Sequence, residues 1–199
     1  MLPKKARTNP RAKAVLDKIK SKNDIIASQK TTKGQENMKL DKFLDSNSKM
    51  SEDTLRGYAV DMPEVKFNNV KEFKSLFSET QGKFGIIKTP YKSLKVNMSY
   101  AYRHFYDNTY KTNRDNIKSA FFETFSDPLF IAKNDSKGRD SVYFYKPFLD
   151  KDKKVLNLFG IGIDKEGKVD FKTFYLDNSG ARMREMERLT DENIIYIKE

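Results

Sequence analysis

The chain has 199 residues, of which 37% are hydrophobic and 34% charged, with a formal net charge of +11. That is too little apolar material for one core filling the whole length, and it suits a domain with an extension. Cysteine is absent, which excludes disulfides, thiolate metal sites and a cysteine nucleophile.

No run reaches the 18 apolar residues of a membrane span, and the N-terminus lacks the apolar core of a secretory signal. A cytoplasmic protein, or one delivered into a target cell, is the expectation. The charge is uneven: residues 1–33 are net +8, residues 34–70 net −2 and residues 71–199 net +5. Such an excess attracts a polyanion through counterion release, most often nucleic acid, otherwise an acidic protein or lipid surface.

Residues 1–27 read as a basic helical arm. Asn9 suits an N-cap and Pro10 the first helical position, and Ala12, Val15, Leu16 and Ile19 fall on one face. The narrow stripe fits docking on a partner or on the domain, or a nucleic-acid or secretion-apparatus contact. Residues 28–68 read as a polar linker, partly disordered, with a helical turn at Leu40–Leu44 and a mixed stretch, TLRGYAVDMPEVKF, that is loop or loosely packed strand.

The domain is expected over 69–199. Asn69 and Glu72 make a capping-box-like pair before the apolar face Val70, Phe73, Leu76 and Phe77. FGIIK and LKVN are short strands around the turn TPYKS. Ser99 is placed to cap a helix YAYRHFYDNTY, with His104 off the Tyr102–Phe105–Tyr106–Thr109 stripe and on the side of Tyr100, Asn108 and Lys111.

A second helix is expected from Asn113 to Phe125, stopped by Ser126-Asp127-Pro128. Strands LFIAK, SVYFYKPF, VLNLFGIGID and KVDFKTFYL follow, the last with a register break near Thr173. A charged helix ARMREMERL and a strand NIIYIK close the chain. The order is α+β: N-terminal helices segregated to one face of an antiparallel meander sheet of four or more strands.

Several kinds of site drop out. There is no phosphate-binding glycine loop, and GIG at 160–162 lies inside a strand as a bend or bulge. One histidine without cysteine does not make a zinc site, and no serine sits in a nucleophile-elbow context. What remains suits phosphodiester chemistry without metal or other cofactor. Attack by a ribose 2′-hydroxyl needs a proton acceptor, stabilisation of the dianionic phosphorane and protonation of the leaving oxygen.

Residues of the right type are His104, Tyr143, Lys146 and Thr173 as catalytic candidates, with Arg103, Arg114, Arg139 and Tyr175 as nucleic-acid contacts. Each also has an ordinary reading. His104 can be structural, the arginines can be surface ion pairs, and the tyrosines can cap the sheet edge. Lys146 before Pro147 and Thr173 between aromatic residues are the least expected on such grounds.

The succession IIKTPYKSLKVN, RHFYDN with a following arginine, ETFSDPLFI, VYFYKPF and FKTFY resembles the phage-associated barnase–EndoU–colicin–RelE-like nucleases, over roughly residues 83–178. The resemblance implies a barnase/RelE-like fold of helices on a four-stranded antiparallel sheet. It implies metal-independent endoribonuclease activity that leaves a 2′,3′-cyclic phosphate, as in toxin domains of phages and mobile elements. The helix His/Arg of the family would map onto His104, Arg103 or Arg114, its strand Tyr/Lys onto Tyr143 and Lys146, and its terminal-strand Thr onto Thr173. RNA, with tRNA among the candidates, and an immunity or antitoxin protein are the implied partners. The alternative is a non-catalytic nucleic-acid-binding or protein-interaction module of a phage or mobile element.

Overall fold

The computed structural model describes residues 40–106, 114–134 and 140–199. The arm helix expected in residues 1–27 lies outside them. Nine strands form one sheet: β1 (Val60–Asp61), β2 (Glu79–Gln81), β3 (Phe84–Ile87), β4 (Leu94–Asn97), β5 (Phe130–Asn134), β6 (Ser141–Leu149), β7 (Val155–Lys165), β8 (Lys168–Leu176) and β9 (Ile194–Ile197). Among the described residues, five short α-helices accompany it: α1 (Glu52–Arg56), α2 (Val70–Ser75), α3 (Met98–Tyr106), α4 (Phe121–Ser126) and α5 (Ala181–Met186). The strand order is β2-β3-β4-β8-β7-β6-β5-β9, with β1 added in parallel at the end of β6.

The fold is thus mixed α+β with a large, mostly antiparallel sheet. The long hairpins β6–β7 and β7–β8 are its spine, and β6 is buried along eight of its nine residues. That burial explains the nearly continuous apolar run VYFYKPF, since a strand covered on both faces has no polar side to alternate with. Alternate β6 side chains enter two separate cores. Val142, Phe144 and Phe148 join α2, α3 and α4 through Phe73, Phe105, Phe121 and Phe125, whereas Tyr143 and Tyr145 join α1 and α5 through Leu55, Met183 and Met186.

Helices therefore lie on both faces, not on one as the element order suggested. The reason is the segment before residue 69. Leu40, Phe43, Met50 and Leu55 are buried in the second core and Phe67 in the first, and the compact unit runs Met38–Glu199. Residues 40–68 are packed chain, not linker. A polar sequence hid five buried apolar side chains, which beyond the pair Leu40 and Phe43 are too scattered to make a periodic stripe. The turn expected near Leu40–Leu44 is a 3-10 helix, Leu40–Phe43.

Two helix boundaries also move. α3 begins at Met98, and the carboxamide of Asn97 accepts the Tyr100 amide at 3.2 Å, so Asn97 performs the capping expected of Ser99. The helix expected over 113–125 is divided into a 3-10 helix, Asp115–Ala120, and α4. Asn69 caps α2 as expected, accepting from Lys71 and Glu72 amides at 3.0 and 2.9 Å. No helix of the described residues is long and apolar enough to cross a membrane.

β4 and β8 run parallel and pair only at Leu94↔Val169 and Lys95↔Asp170. Beyond Asp170, β4 gives way to α3, and among the described residues β8 has no strand on that side. The β7–β8 register shifts between Ile161 and Gly162, whose partners are Thr173 and Phe171, leaving Lys172 as the extra residue of a bulge. This is the break near Thr173 that the phase of Val169, Phe171, Phe174 and Leu176 indicated. An open strand edge with a bulge in it is what positions the site.

Candidate functional site

His104, Arg114 and Thr173 meet at that edge from three separate elements. His104 lies in the last turn of α3 and Arg114 immediately precedes the 3-10 helix Asp115–Ala120. One amino group of Arg114, Nη1, donates to His104 Nδ1 at 2.8 Å and to Thr173 Oγ1 at 3.2 Å. A guanidinium has only donors, so Nδ1 must present its lone pair and the imidazole carries its proton on Nε2.

Aromatic rings fix the imidazole from two sides. Tyr100, one turn earlier on α3, stands edge-on to it at 4.5 Å, and Phe171 on β8 does so at 5.9 Å. The Tyr100 hydroxyl reaches the carbonyl of the bulge residue Lys172 at 3.5 Å. His104 itself is 5% exposed, beneath the half-buried Tyr100, Arg114, Lys172 and Thr173.

By register Thr173 belongs to the row Tyr143–Ile161–Thr173, whose first two members line the second core. Arg114 approaches from the α3 side. The contact is made around the open edge of β8, with Arg114 and Thr173 half-buried and His104 buried beneath them.

The remaining candidates lie elsewhere. Lys146 points to the α4 side and is 4% exposed, with Nζ 2.6 Å from Asp127 and 3.4 Å from Glu123. It is two strands and three residues away from Thr173, roughly 14 Å between Cα atoms at ordinary sheet spacing. Lys146 and Tyr143, grouped in the sequence, project from opposite faces. Tyr143 and Tyr175 share a second cluster beneath α5: Arg182 donates through Nε to Tyr175 Oη at 2.9 Å and through Nη1 to Tyr143 Oη at 3.3 Å. Arg103 is exposed on α3, and Arg139 lies outside the described residues.

Burial raises the pKa of both phenols above the ordinary tyrosine value, with Arg182 offsetting part of it, so both are protonated at neutral pH. They can position an oxygen but not take a proton. Among the described residues, no three His, Asp or Glu side chains cluster in a way that could hold a metal ion.

Sequence reasoning missed Tyr100, Phe171 and Arg182 as parts of these clusters. Tyr100 had a usable signal, four residues before His104 on the same helix side. Arg182 had none, because ARMREMERL reads as a solvated charged helix. No family model, curated protein or solved structure matches the chain.

Proposed function

We propose that the protein is a metal-independent endoribonuclease with its reaction centre at His104, Arg114 and Thr173. The observation that carries this reading is the convergence of an imidazole, a guanidinium and a hydroxyl, from three elements, at the open edge of β8. Arg114 bonds both other groups through one amino group. A phosphodiester competing for that guanidinium would release Nδ1 of His104 to accept a proton.

The ribose 2′-hydroxyl loses its proton to Nδ1, and its oxygen attacks phosphorus. Arg114 balances the charge of the phosphorane and Thr173 orients a non-bridging oxygen. The bond to the 5′-oxygen breaks, that oxygen takes a proton from water, and the product is a 2′,3′-cyclic phosphate. The net +11 favours the encounter with RNA. The resemblance to barnase–EndoU–colicin–RelE-like nucleases in the sequence agrees with this assignment, and such a toxin would have an immunity protein as a partner.

The test is incubation of the full chain with total RNA and with tRNA in EDTA, followed by end-group analysis. Cyclic phosphate ends that disappear with His104→Ala support the reading. No cleavage where a barnase-like control cuts would refute it. The low exposure of His104 favours a second reading, a non-catalytic RNA-binding module; it predicts salt-dependent binding without product.

A further inference from the structure

We infer that Arg182 forms a second anion subsite, which binds the RNA phosphate next to the one held by Arg114. This rests on the ribonuclease reading and names the substrate that the site is built for: single-stranded RNA passing from the open edge of β8 onto the sheet face beside α5.

Thr173 and Tyr175 stand two residues apart on β8, about 6.6 Å along the strand and on one side of it. Each hydroxyl accepts from a different arginine. Arg114 reaches Thr173 from the α3 side, and Arg182 reaches Tyr175 from α5 on the opposite face. Each guanidinium is thus anchored to a hydroxyl of β8, Arg114 at its open edge and Arg182 over the sheet face, where it also reaches Tyr143 two strands away on β6. A nucleic-acid strand presents one phosphate per nucleotide, so a strand that crosses β8 from Arg114 would carry its next phosphate toward Arg182.

The second arginine is built for orientation. Nε is fixed by Tyr175, Nη1 by Tyr143 and by an ion pair with Glu185, and the guanidinium lies over the Tyr143 ring at 5.1 Å. Glu185 is itself held by the Asn134 carboxamide. The side chain remains 27% exposed, and among the described residues Nη2 has no hydrogen-bond partner. A planar guanidinium held on two of its three nitrogens, with the third open, suits phosphate.

The path continues beyond it. Glu185 borders an open cleft of about 490 Å³ that also carries Arg184 and Arg188, both exposed. The polyanion leaving Arg182 would meet further positive charge. Glu185 competes with phosphate for Arg182, which gives the subsite a substitution of each sign.

The experiment compares a dinucleoside monophosphate, which has only the scissile phosphate, with a trinucleotide that has one more. For Arg182→Ala, the ratio of kcat/KM for the trinucleotide to that for the dinucleotide should fall about tenfold, through KM. Glu185→Gln should raise the same ratio, a gain that damaged folding does not mimic. Equal ratios for wild type and Arg182→Ala, or a fall with Glu185→Gln, would overturn the inference.

If the wild type cleaves neither substrate, the reaction centre falls and the subsite is judged by binding of a fluorescent single-stranded RNA. Arg182→Ala should then reduce the salt slope by about 0.7, one phosphate contact on a single strand. An unchanged slope in that case would overturn the subsite as well.

Discussion

Lys146 Nζ lies 2.6 Å from Asp127 Oδ2, and this lysine in the central strand is 4% exposed. Asp127 also accepts from Lys198 near the C-terminus at 2.7 Å, so one carboxylate at the end of α4 ties the helix to the sheet and to the last strand. The lysine stem runs over the Phe148 ring, with Nζ 5.7 Å from its centre. Lys146→Ala is expected to cost about 2–3 kcal/mol: Asp127 is half exposed and keeps Lys198, so the loss is below that of a fully buried pair. Lys146→Met, similar in volume, should cost less and keep RNA cleavage intact. Urea denaturation and a cleavage assay on both variants check this, and loss of cleavage in a folded Lys146→Met protein would return the lysine to the reaction.

The three groups at the open edge should differ in weight. Arg114→Ala removes a charge and the anchor of two partners, and should lower kcat/KM by about 10²–10³. His104→Ala removes the proton acceptor, for a loss of about 10²–10⁴. Thr173→Val removes one oriented hydroxyl, for about tenfold. The double variant of His104 and Arg114 should lose less than the product of the single effects, because each acts through the other. Single-turnover cleavage of one defined RNA measures all four, and strict multiplicativity would show that the two residues act independently.

Strand content was legible where alternation or a continuous apolar run persisted over many residues, as in β6, β7 and β8. Even the bulge at Lys172 showed as a change of phase between Phe171 and Phe174. The packing of residues 40–68 was not legible. Leu55 and Phe67 stand alone among polar neighbours and Leu40 and Phe43 share only one short turn; their destinations, the second core for Leu40, Phe43 and Leu55 and the first for Phe67, are set by the sheet. At the site, His104, Arg114 and Thr173 were recognisable by chemical type, yet their meeting depends on β4 leaving β8 after two residue pairs. Lys146 and Tyr143 were separated by strand parity. Three positions along one strand reverses the face, and that alone argued against grouping them.

Acid should weaken the protein through two carboxylates. Asp164 accepts from Lys92 at 2.7 Å, Lys133 at 2.6 Å and the Tyr91 hydroxyl at 3.0 Å, joining the β3–β4 turn, β5 and β7. Burial alone would raise its pKa, but these donors outweigh it and hold it below the ordinary value; Asp127 behaves likewise between Lys146 and Lys198. A carboxyl with a lower pKa folded than unfolded adds stability above its unfolded value, about 3.9, and that stability is lost as pH falls through the folded value. Urea midpoints followed down from neutrality should therefore drop below about pH 4. Asp164→Asn should be less stable at neutral pH and show a shallower acid limb. An acid limb identical to wild type would mean that the Asp164 hub adds no stability.

Gly160 in β7 tests the packing that holds the α4 side together. A Cβ there would lie 2.2 Å from Phe125 Cε1, closer than any real contact allows. Phe125 has little room to yield: its ring is 5.2 Å from both Phe121 and Phe144, and it is fully buried. Gly160→Ala should thus force the α4 side outward and cost about 1–3 kcal/mol, although alanine suits a strand better than glycine in every other respect. Reducing the obstructing ring tests the cause. Phe125→Leu alone should destabilise by leaving a void, and together with Gly160→Ala the added methyl fills part of that void. The double variant should be more stable than the sum of the single effects predicts, by about 0.5–3 kcal/mol of coupling. Simple additivity in thermal or urea unfolding would show that the Gly160 requirement arises from something other than the Phe125 ring.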